Sequence, residues 1–314
     1  MTAHDATDLR GVIPILVTPF SDNESVDHQQ MARQIDFLVG CGVRWAGFGF
    51  GSEIATLTPQ EAFELARFTV DHAAGRLRLI GNAEMPSRCA GAHAVEHIAE
   101  SGVAAVMIRP SGFGDAQQSV ISDALAEVVA GAPVPCIIQD APQNTGVVLT
   151  ASSLVRLLVE VPNVAAVKVE PRPSVPQIGA IVEELAGRPG TVLGGAGAAQ
   201  LLLELDRGAV GTMPGPAFAD LLVEICRQYD AGERPAAAEL FRDFLPLAAL
   251  GRGMATFLFA QKYLLTRRGV LDGVRLRSPH GPVDRRLPAE LDSIVEAPAL
   301  RRALAAGVDR GRPI

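Results

Sequence analysis

The feature that most constrains the fold is a regular alternation of short apolar segments with amphipathic segments. Apolar runs of four to eight residues are typical of strands buried on both faces of a parallel sheet. Strict strand–helix alternation predicts such a sheet, and eight units are the number that closes a (β/α)8 barrel. The predicted strands are Gly11–Thr18, Val43–Phe50, Leu77–Asn82, Val103–Arg109, Val134–Asp140, Val164–Glu170, Thr191–Gly194 and Ala209–Met213.

Segments with helical periodicity separate these strands. They are His28–Val39, Pro59–Ala73, Cys89–Glu100, Ser119–Ala130, Ala151–Val159, Ser174–Ala186 and Ala198–Arg207. A doubly wound sheet would need a G-x-G-x-x-G turn after the first strand, where the chain has Val17–Phe20 instead. Beyond Met213 only helices are predicted, at Phe218–Tyr229, Pro235–Leu250, Met254–Arg268 and Pro288–Ala306, with a linker at Arg275–Asp284. We therefore predict the α/β class, with a (β/α)8 barrel over residues 1–230 and a C-terminal helical extension over residues 231–314.

The composition argues against several classes of partner. A net charge of −7, without any lysine- or arginine-rich block, argues against nucleic acid and anionic membranes. No apolar run of about 18 residues indicates a membrane span, and no signal-peptide pattern is present, so we expect a cytoplasmic protein. The six histidines show no metal-ligand spacing, and we predict no metal. We expect the four scattered cysteines to be buried thiols: Cys41, Cys89, Cys136 and Cys226.

One lysine lies in the sixth predicted strand. An ammonium there is costly unless it is paired or loses its proton. Of the 28 lysine and arginine residues only Lys168 and Lys262 are lysines, so the ordinary cation of this chain is arginine. A lysine can lose its proton and form a Schiff base with a carbonyl, which arginine cannot do. The alternative is a lysine that reaches out of the strand or pairs with Glu170.

Catalytic groups of (β/α)8 enzymes lie at the carboxyl ends of the strands. Lys168 lies at such an end, which favours the catalytic interpretation. The other predicted strand ends are Phe50–Glu53, Asn82–Glu84, Arg109–Gly112, Gln139–Pro142, Gly194–Gly197 and Gly211–Met213.

Four segments, in this order and spacing, resemble the family of dihydrodipicolinate synthase and N-acetylneuraminate lyase, which are pyruvate-dependent class I aldolases. The segments are Gly11–Phe20, Gly49–Thr58, Pro142–Gly146 and Val167–Glu170. The resemblance implies that Lys168 condenses with a small 2-oxo acid, releases water and needs no cofactor beyond this covalent imine. It also implies a homotetramer or a homodimer.

The chain departs from this family at the positions of its catalytic side chains. Phe50 and Gly51 stand where the resemblance places a threonine pair, and Gln139 stands where it places the strand-five tyrosine. Gly112 replaces a second tyrosine, and Asn144 replaces the arginine that binds the carboxylate of an aldehyde substrate. An authentic dihydrodipicolinate synthase is therefore not expected.

The strand ends resemble a different branch of the same superfamily. Ser52-Glu53, Gln139–Pro142 and Gly194–Gly197 are similar to the 2-keto-3-deoxy-sugar-acid dehydratases, L-2-keto-3-deoxyarabonate dehydratase in particular. This resemblance implies a hydro-lyase. The alternatives are a pyruvate-dependent aldolase, a non-catalytic barrel that binds a 2-oxo acid, and a barrel that binds phosphate at Gly194–Gly197.

The chemistry of a Schiff-base lyase assigns roles to the remaining strand-end residues. The amides of Gly51 and Ser52, next to Phe50, are candidates for binding the substrate carboxylate, because successive amides can form an anion-binding nest. Gly194, Gly195 and Gly211 would let the backbone approach the imine.

Proton transfer needs an acid and a base. Gln139 occupies the tyrosine position, and the candidate carboxyl groups are Glu53, Glu84, Asp140 and Glu170. Each could instead be structural: Glu53 as a loop cap, Asp140 as an acceptor for strand-end amides, and Glu170 as the group that orients Lys168. Arg109 is expected to bind substrate, or to pair with Glu84 or Asp140.

Overall fold

The computed structural model describes residues 8–250, 253–277 and 283–309. Its strands are β1 (Gly11–Val12), β2 (Trp45–Gly47), β3 (Arg78–Met85), β4 (Ala105–Pro110), β5 (Cys136–Asp140), β6 (Val164–Val169), β7 (Val192–Gly194) and β8 (Gly211–Thr212). They form one parallel sheet in the order β1-β8-β7-β6-β5-β4-β3-β2, and Ile15 and Gly47 form a further parallel bridge. The predicted (β/α)8 barrel with C-terminal helices is confirmed.

Helices connect the strands and continue after the last of them. They are α1 (His28–Gly40), α2 (Pro59–Ala73), α3 (Arg88–Ala99), α4 (Gln118–Ala130), α5 (Pro142–Thr145), α6 (Ala151–Glu160), α7 (Val175–Leu185), α8 (Leu201–Asp206), α9 (Ala219–Asp230), α10 (Arg234–Leu250), α11 (Met254–Arg267), α12 (Leu287–Ile294) and α13 (Pro298–Asp309). Sequence signals explain where helices begin, as at α2. There the Thr58 hydroxyl accepts a hydrogen bond from the Glu61 amide, and the Glu61 carboxylate accepts one from the Thr58 amide. Two backbone N–H groups that have no partner within the helix are thereby satisfied.

Contacts divide the chain into two compact units. The first unit comprises Met1–Ile13 and Leu79–Met213, and it contains β1, β3 from Leu79 onward, β4 to β8 and the helices α3 to α8. The second comprises Pro14–Arg78 and Pro214–Ile314. The predicted boundary at residue 230 stays a prediction.

In the first unit, the two faces of the sheet have different neighbours. A Cβ atom at Gly81 of β3 would lie 2.8 Å from Ile98 Cγ1 of α3, so the face that carries Gly81 packs against helices. Successive residues of a strand point to opposite faces. The opposite face, which we call the inner face, carries Asn82, Glu84, Arg109, Gln139, Lys168, Glu170 and Leu193.

Several predictions about local structure were wrong. The predicted strand Gly11–Thr18 is a strand only over the two residues of β1. The predicted strand Val43–Phe50 shortens to β2, because Phe50–Ser52 forms a 3-10 helix that ends at Glu53 in a left-handed conformation (φ 53°). The predicted helix Pro288–Ala306 divides into α12 and α13, because proline disfavours helical geometry in the residue before it and α13 begins at Pro298. Cys89 is exposed on α3, whereas the other three cysteines are buried.

The predicted linker Arg275–Asp284 lies partly outside the described residues. In its described part, Arg277 forms an ion pair with Glu61 at 2.8 Å. Among the residues that the structure describes, no helix is long and apolar enough to cross a membrane.

Candidate active site

One row of the sheet brings the candidate residues of four strands together. Glu84 of β3 pairs in register with Arg109 of β4, and Gln139 of β5 pairs with Lys168 of β6. The pairing of Ile108 with Ile138 places Arg109 and Gln139 at the same level. The four side chains therefore point from one level of the inner face, at the carboxyl ends of their strands.

Lys168 is almost fully buried, with 4% of its side chain exposed, and its Nζ lies 3.1 Å from Glu170 Oε2. The alternative interpretation of this lysine, pairing with Glu170, is thus present in the structure. Pairing does not exclude catalysis, because the amine still lies on the inner face at the end of β6. It does identify Glu170 as the carboxyl group that touches Lys168.

Three donors orient the Glu170 carboxylate. Gln139 Nε2 donates to Oε2 at 2.6 Å and the Ala196 amide donates to Oε1 at 2.9 Å, while the Lys168 ammonium completes the set. Burial raises the pKa of Glu170, but the charge of Lys168 and these hydrogen bonds outweigh burial and hold the pKa below its usual value. Glu170 is therefore a carboxylate at neutral pH.

The glycines after β7 let the backbone approach this carboxylate. A Cβ atom at Gly195 would lie 2.5 Å from Glu170 Oε1, so a side chain there would displace the carboxylate. The next residue, Ala196, has a left-handed backbone (φ 49°), which is uncommon for a residue with a Cβ atom. Gly194 lies on the helix-facing side. Gly211 lies two strands from Lys168, because it pairs with Leu193 and Leu193 pairs with Lys168.

A second polar cluster adjoins this row. Arg109, with 5% of its side chain exposed, forms an ion pair with Glu84 at 3.2 Å and donates a hydrogen bond to Asn82 Oδ1. Burial lowers the pKa of Arg109, and the Glu84 carboxylate opposes that effect. Of the two structural partners considered for Arg109, Glu84 is the one that pairs with it.

Comparison with known proteins assigns the chain to a family. A model of the Dihydrodipicolinate synthetase family matches residues 8–298. The chain belongs to the Dihydrodipicolinate synthetase family. It is 29% identical to an L-2-keto-3-deoxyarabonate dehydratase from Azospirillum brasilense, over 89% of this chain and 91% of that protein. It is 26% identical to a 4-hydroxy-tetrahydrodipicolinate synthase from Acidobacterium capsulatum, over 94% of this chain and 100% of that protein.

Solved structures agree with this assignment. The crystal structure of a dihydrodipicolinate synthase from Rhodopseudomonas palustris matches with a TM-score of 0.85 and 26% identity, over 93% of this chain and 98% of that one. Members of the Dihydrodipicolinate synthetase family are lyases, so the prediction of a carbon–oxygen or carbon–carbon lyase is confirmed.

Asp140 does not share the inner face with its neighbour Gln139. Its side chain is buried behind the sheet, where Oδ1 accepts the Leu149 amide at 3.4 Å. Burial raises the pKa of Asp140 to about 7; the Leu149 amide opposes this rise, and the Glu170 charge adds to it. This placement favours a structural role for Asp140 over proton transfer at Lys168.

The segment Phe50–Glu53 lies in the second unit. Both Glu53 oxygens are engaged there: Oε2 pairs with the buried Lys262 ammonium of α11, and Oε1 accepts the Arg277 amide at 3.0 Å. This geometry favours the structural role considered for Glu53, in which its carboxylate caps the loop after β2.

The rest of this segment is also closely packed. The Ser52 hydroxyl donates to the Leu16 carbonyl at 2.5 Å, and a Cβ atom at Gly51 would lie 2.9 Å from Phe257. Carboxylate binding by the amides of Gly51 and Ser52, next to Phe50, stays a prediction.

The sequence did not reveal every candidate residue. Glu204 of α8 is 1% exposed and accepts a hydrogen bond from the Ser174 hydroxyl. A Cβ atom at Gly194 would overlap the Oε2 atom of Glu204, as a Cβ atom at Gly195 would overlap Glu170 Oε1. Each of these two successive glycines therefore leaves room for one carboxylate. No spacing pattern in the sequence links Glu204 of α8 to Lys168 of β6, because these two elements come near each other only in the folded protein.

Among the residues that the structure describes, no group of three or more histidine, cysteine, aspartate or glutamate side chains could hold a metal ion.

Proposed function

We propose that this protein is a Schiff-base-forming lyase that acts on a 2-oxo acid through Lys168, and that its reaction is the dehydration of a 2-keto-3-deoxy sugar acid. The observation that carries the proposal is the buried Lys168 amine on the inner face, 3.1 Å from a carboxylate that three donors orient. The 29% identity to an L-2-keto-3-deoxyarabonate dehydratase supports the choice of reaction.

In the proposed reaction the Lys168 ammonium passes one proton to Glu170, and the neutral amine attacks the C2 carbonyl. That proton returns to the C2 oxygen, which leaves as water and gives an iminium ion. The iminium ion withdraws electrons from C3, so that a base can remove a C3 proton and leave a neutral enamine. Loss of the C4 hydroxyl group as water, with one proton supplied to it, leaves an unsaturated iminium ion. Addition of water to this iminium ion releases the dehydrated acid and restores the lysine side chain.

We assign the proton transfer to Glu170. Among the four carboxyl groups considered, Glu170 is the one in contact with Lys168, so it is next to C3 of a bound imine. As a carboxylate it can accept the C3 proton and then pass that proton to the departing C4 hydroxyl group. Gln139 cannot transfer a proton under these conditions, and its hydrogen bond to Oε2 fixes the direction of the carboxylate.

A pyruvate-dependent aldolase is the second candidate. The identity of 26% to a 4-hydroxy-tetrahydrodipicolinate synthase, over nearly the whole of both chains, favours it. The two tyrosines of the chain are Tyr229 and Tyr263, in α9 and α11, so no tyrosine is available at the strand ends. An aldolase reaction in this protein would therefore have to proceed without the strand-five tyrosine, whose position Gln139 occupies.

Borohydride trapping tests the proposal directly. Incubation with pyruvate and borohydride should convert the imine into a stable secondary amine on the Lys168 peptide. The assignment is unambiguous because Lys262 is the only other lysine. Absence of an adduct with any 2-oxo acid would refute the proposal.

Product analysis separates the two reactions. A coupled lactate dehydrogenase assay reports pyruvate, which an aldolase releases from a 2-keto-3-deoxy sugar acid and a dehydratase does not. Imine formation without any product across a panel of sugar-derived acids would identify a non-catalytic binding barrel instead. Competition by inorganic phosphate would reveal a phosphate site at Gly194–Gly197.

A homotetramer or homodimer and a cytoplasmic location remain parts of this proposal. Sedimentation analysis of the purified protein measures the first, and fractionation of cells measures the second.

A further inference from the structure

The charges of the inner face cancel in pairs. Among the described residues, the cations of this face are Lys168, paired with Glu170 at 3.1 Å, and Arg109, paired with Glu84 at 3.2 Å. Neither pair leaves a surplus positive charge for a second anion. A 2-oxo acid already carries one carboxylate at C1, so this face is poorly suited to a substrate with another carboxylate at its far end.

Neutral polar groups of the same face do have unused hydrogen-bonding capacity. Asn82 Nδ2 and Gln139 Oε1 are buried and have no hydrogen-bond partner among the described residues. Buried polar atoms are seldom left unpaired. One is a donor and the other is an acceptor, the combination that hydroxyl groups can satisfy.

The register places these groups at a useful distance from the reacting carbon. Neighbouring strands lie about 4.8 Å apart, so β4 and β6 are separated by about 10 Å. The far carbons of a substrate joined to Lys168 at C2 would meet Arg109 and Asn82, past Gln139, if the chain extends along this row toward β4. Arg109 is held there by Asn82 and Glu84.

We propose that Asn82, Glu84 and Arg109 form a specificity-determining subsite that accepts an uncharged, hydroxylated chain end and rejects a distal carboxylate. The inference rests on the proposed imine at Lys168. Arg109 would offer its hydrogen bonds to hydroxyl oxygens, whereas a substrate carboxylate would meet the Glu84 carboxylate on the same guanidinium. Glu84 is thus the group that excludes dicarboxylic 2-oxo acids.

The test compares three ligands by borohydride trapping. Pyruvate has no distal group, 2-oxoglutarate has a distal carboxylate, and a 2-keto-3-deoxypentonic acid has distal hydroxyl groups. In each case the concentration that gives half-maximal adduct on Lys168 is measured by mass spectrometry. The unmodified protein should favour the hydroxylated acid over 2-oxoglutarate.

Glu84→Gln should shift this preference by about tenfold toward 2-oxoglutarate, because the Arg109 charge is no longer compensated. Glu84→Ala, which offers Arg109 no replacement amide, should shift it in the same direction. Asn82→Ala should weaken trapping of the hydroxylated acid by about fivefold to tenfold and leave that of pyruvate unchanged.

Glu127→Gln is the matched control. Glu127 of α4 is exposed to a similar extent as Glu84 and pairs with Arg88 at 2.7 Å, away from the inner face. This variant should leave all three values unchanged. If pyruvate is trapped but both Glu84 variants keep the original ratio, the subsite is refuted while the imine stands. If no acid is trapped on Lys168, the proposed function and the subsite fall together.

Discussion

Replacing Glu204 with glutamine should change how the stability of the fold depends on pH. Burial raises the pKa of Glu204 from 4.5 to about 7; the Ser174 hydrogen bond opposes this rise, and the Glu170 charge adds to it. A carboxyl group with a raised folded-state pKa contributes its full stability below the unfolded value. That contribution is lost as pH rises through the folded value.

The magnitude follows from the size of the pKa change. At ~1.4 kcal/mol for each pKa unit, the rise from 4.5 to about 7 corresponds to about 3.5 kcal/mol. The free energy of unfolding of the unmodified protein should fall by this amount between about pH 4.5 and pH 8. Glu204→Gln has no titrating group at this position, so its free energy of unfolding should not fall for this reason. The variant should therefore gain stability relative to the unmodified protein as the pH rises.

Urea titrations followed by far-ultraviolet circular dichroism, at intervals from pH 5 to pH 8.5, measure this difference. Part of the pH dependence will remain in the variant, because the pKa of Asp140 is also raised to about 7. The difference between the two curves isolates Glu204. Parallel curves for the two proteins would refute the reasoning.

Glu61→Gln serves as the control with the opposite sign. The hydrogen bond from Arg277 is the main cause that lowers the pKa of Glu61 to about 2. The stability that Glu61 contributes is present above its unfolded value and is lost only as pH falls through about 2. Between pH 5 and pH 8.5 the curve of this variant should be displaced downward without a change in slope.

Four further predictions concern the site and the thiols. Lys168→Arg should abolish borohydride trapping and lower turnover by at least about a thousandfold, because a guanidinium cannot form the imine; measurable turnover with pyruvate or a sugar acid would contradict this. Gly195→Ala should lower kcat about tenfold to a hundredfold and also lower the unfolding midpoint, because its Cβ atom would displace the buried Glu170 carboxylate from its donors; full activity would show that the carboxylate position is unimportant. Protonation of Glu170 should not limit imine formation in the neutral pH range, since the charge of Lys168 and its hydrogen bonds hold the pKa of Glu170 below its usual value; an acidic limb near pH 6 that disappears in Glu170→Gln would show otherwise. Cys89 should react rapidly with a disulfide reagent at pH 8 while Cys136 does not, because Cys89 is exposed and burial raises the pKa of Cys136 to about 12; peptide mapping would detect the reverse order.

The sequence predicted the barrel well because hydrophobic periodicity is a local property. A strand such as β6 is one apolar run bounded by prolines, and the cap residues of α2 lie within four positions of one another. One failure lies where a distant contact holds the conformation. After β2 ends at Gly47, the 3-10 helix Phe50–Ser52 ends at Glu53 in a left-handed conformation, and the Glu53 carboxylate is bound by Lys262, 209 residues away.

The rarity of lysine was a partial guide to the site. Both lysines of the chain are buried, and each pairs with a glutamate. Lys262 donates to Glu53 and to the Arg275 carbonyl and lies 4.6 Å from the centre of the Phe20 ring, as a structural cation would. Strand position distinguishes the two, because Lys168 ends a barrel strand and Lys262 lies in α11. Rarity alone would have given both the same role.

The Lys168–Glu170 pair also explains how a buried site could pass through charged intermediates. An uncompensated charge is costly in such a position. In the proposed mechanism the ammonium faces the Glu170 carboxylate before reaction, and the iminium ion faces the same carboxylate after water has left. Transfer of the C3 proton to Glu170 then neutralises both partners at once, since the enamine nitrogen and the carboxylic acid are both uncharged. The pair is electrically balanced at each of these stages. The hydrogen bonds from Gln139 and Ala196 keep the carboxylate in place while its charge changes.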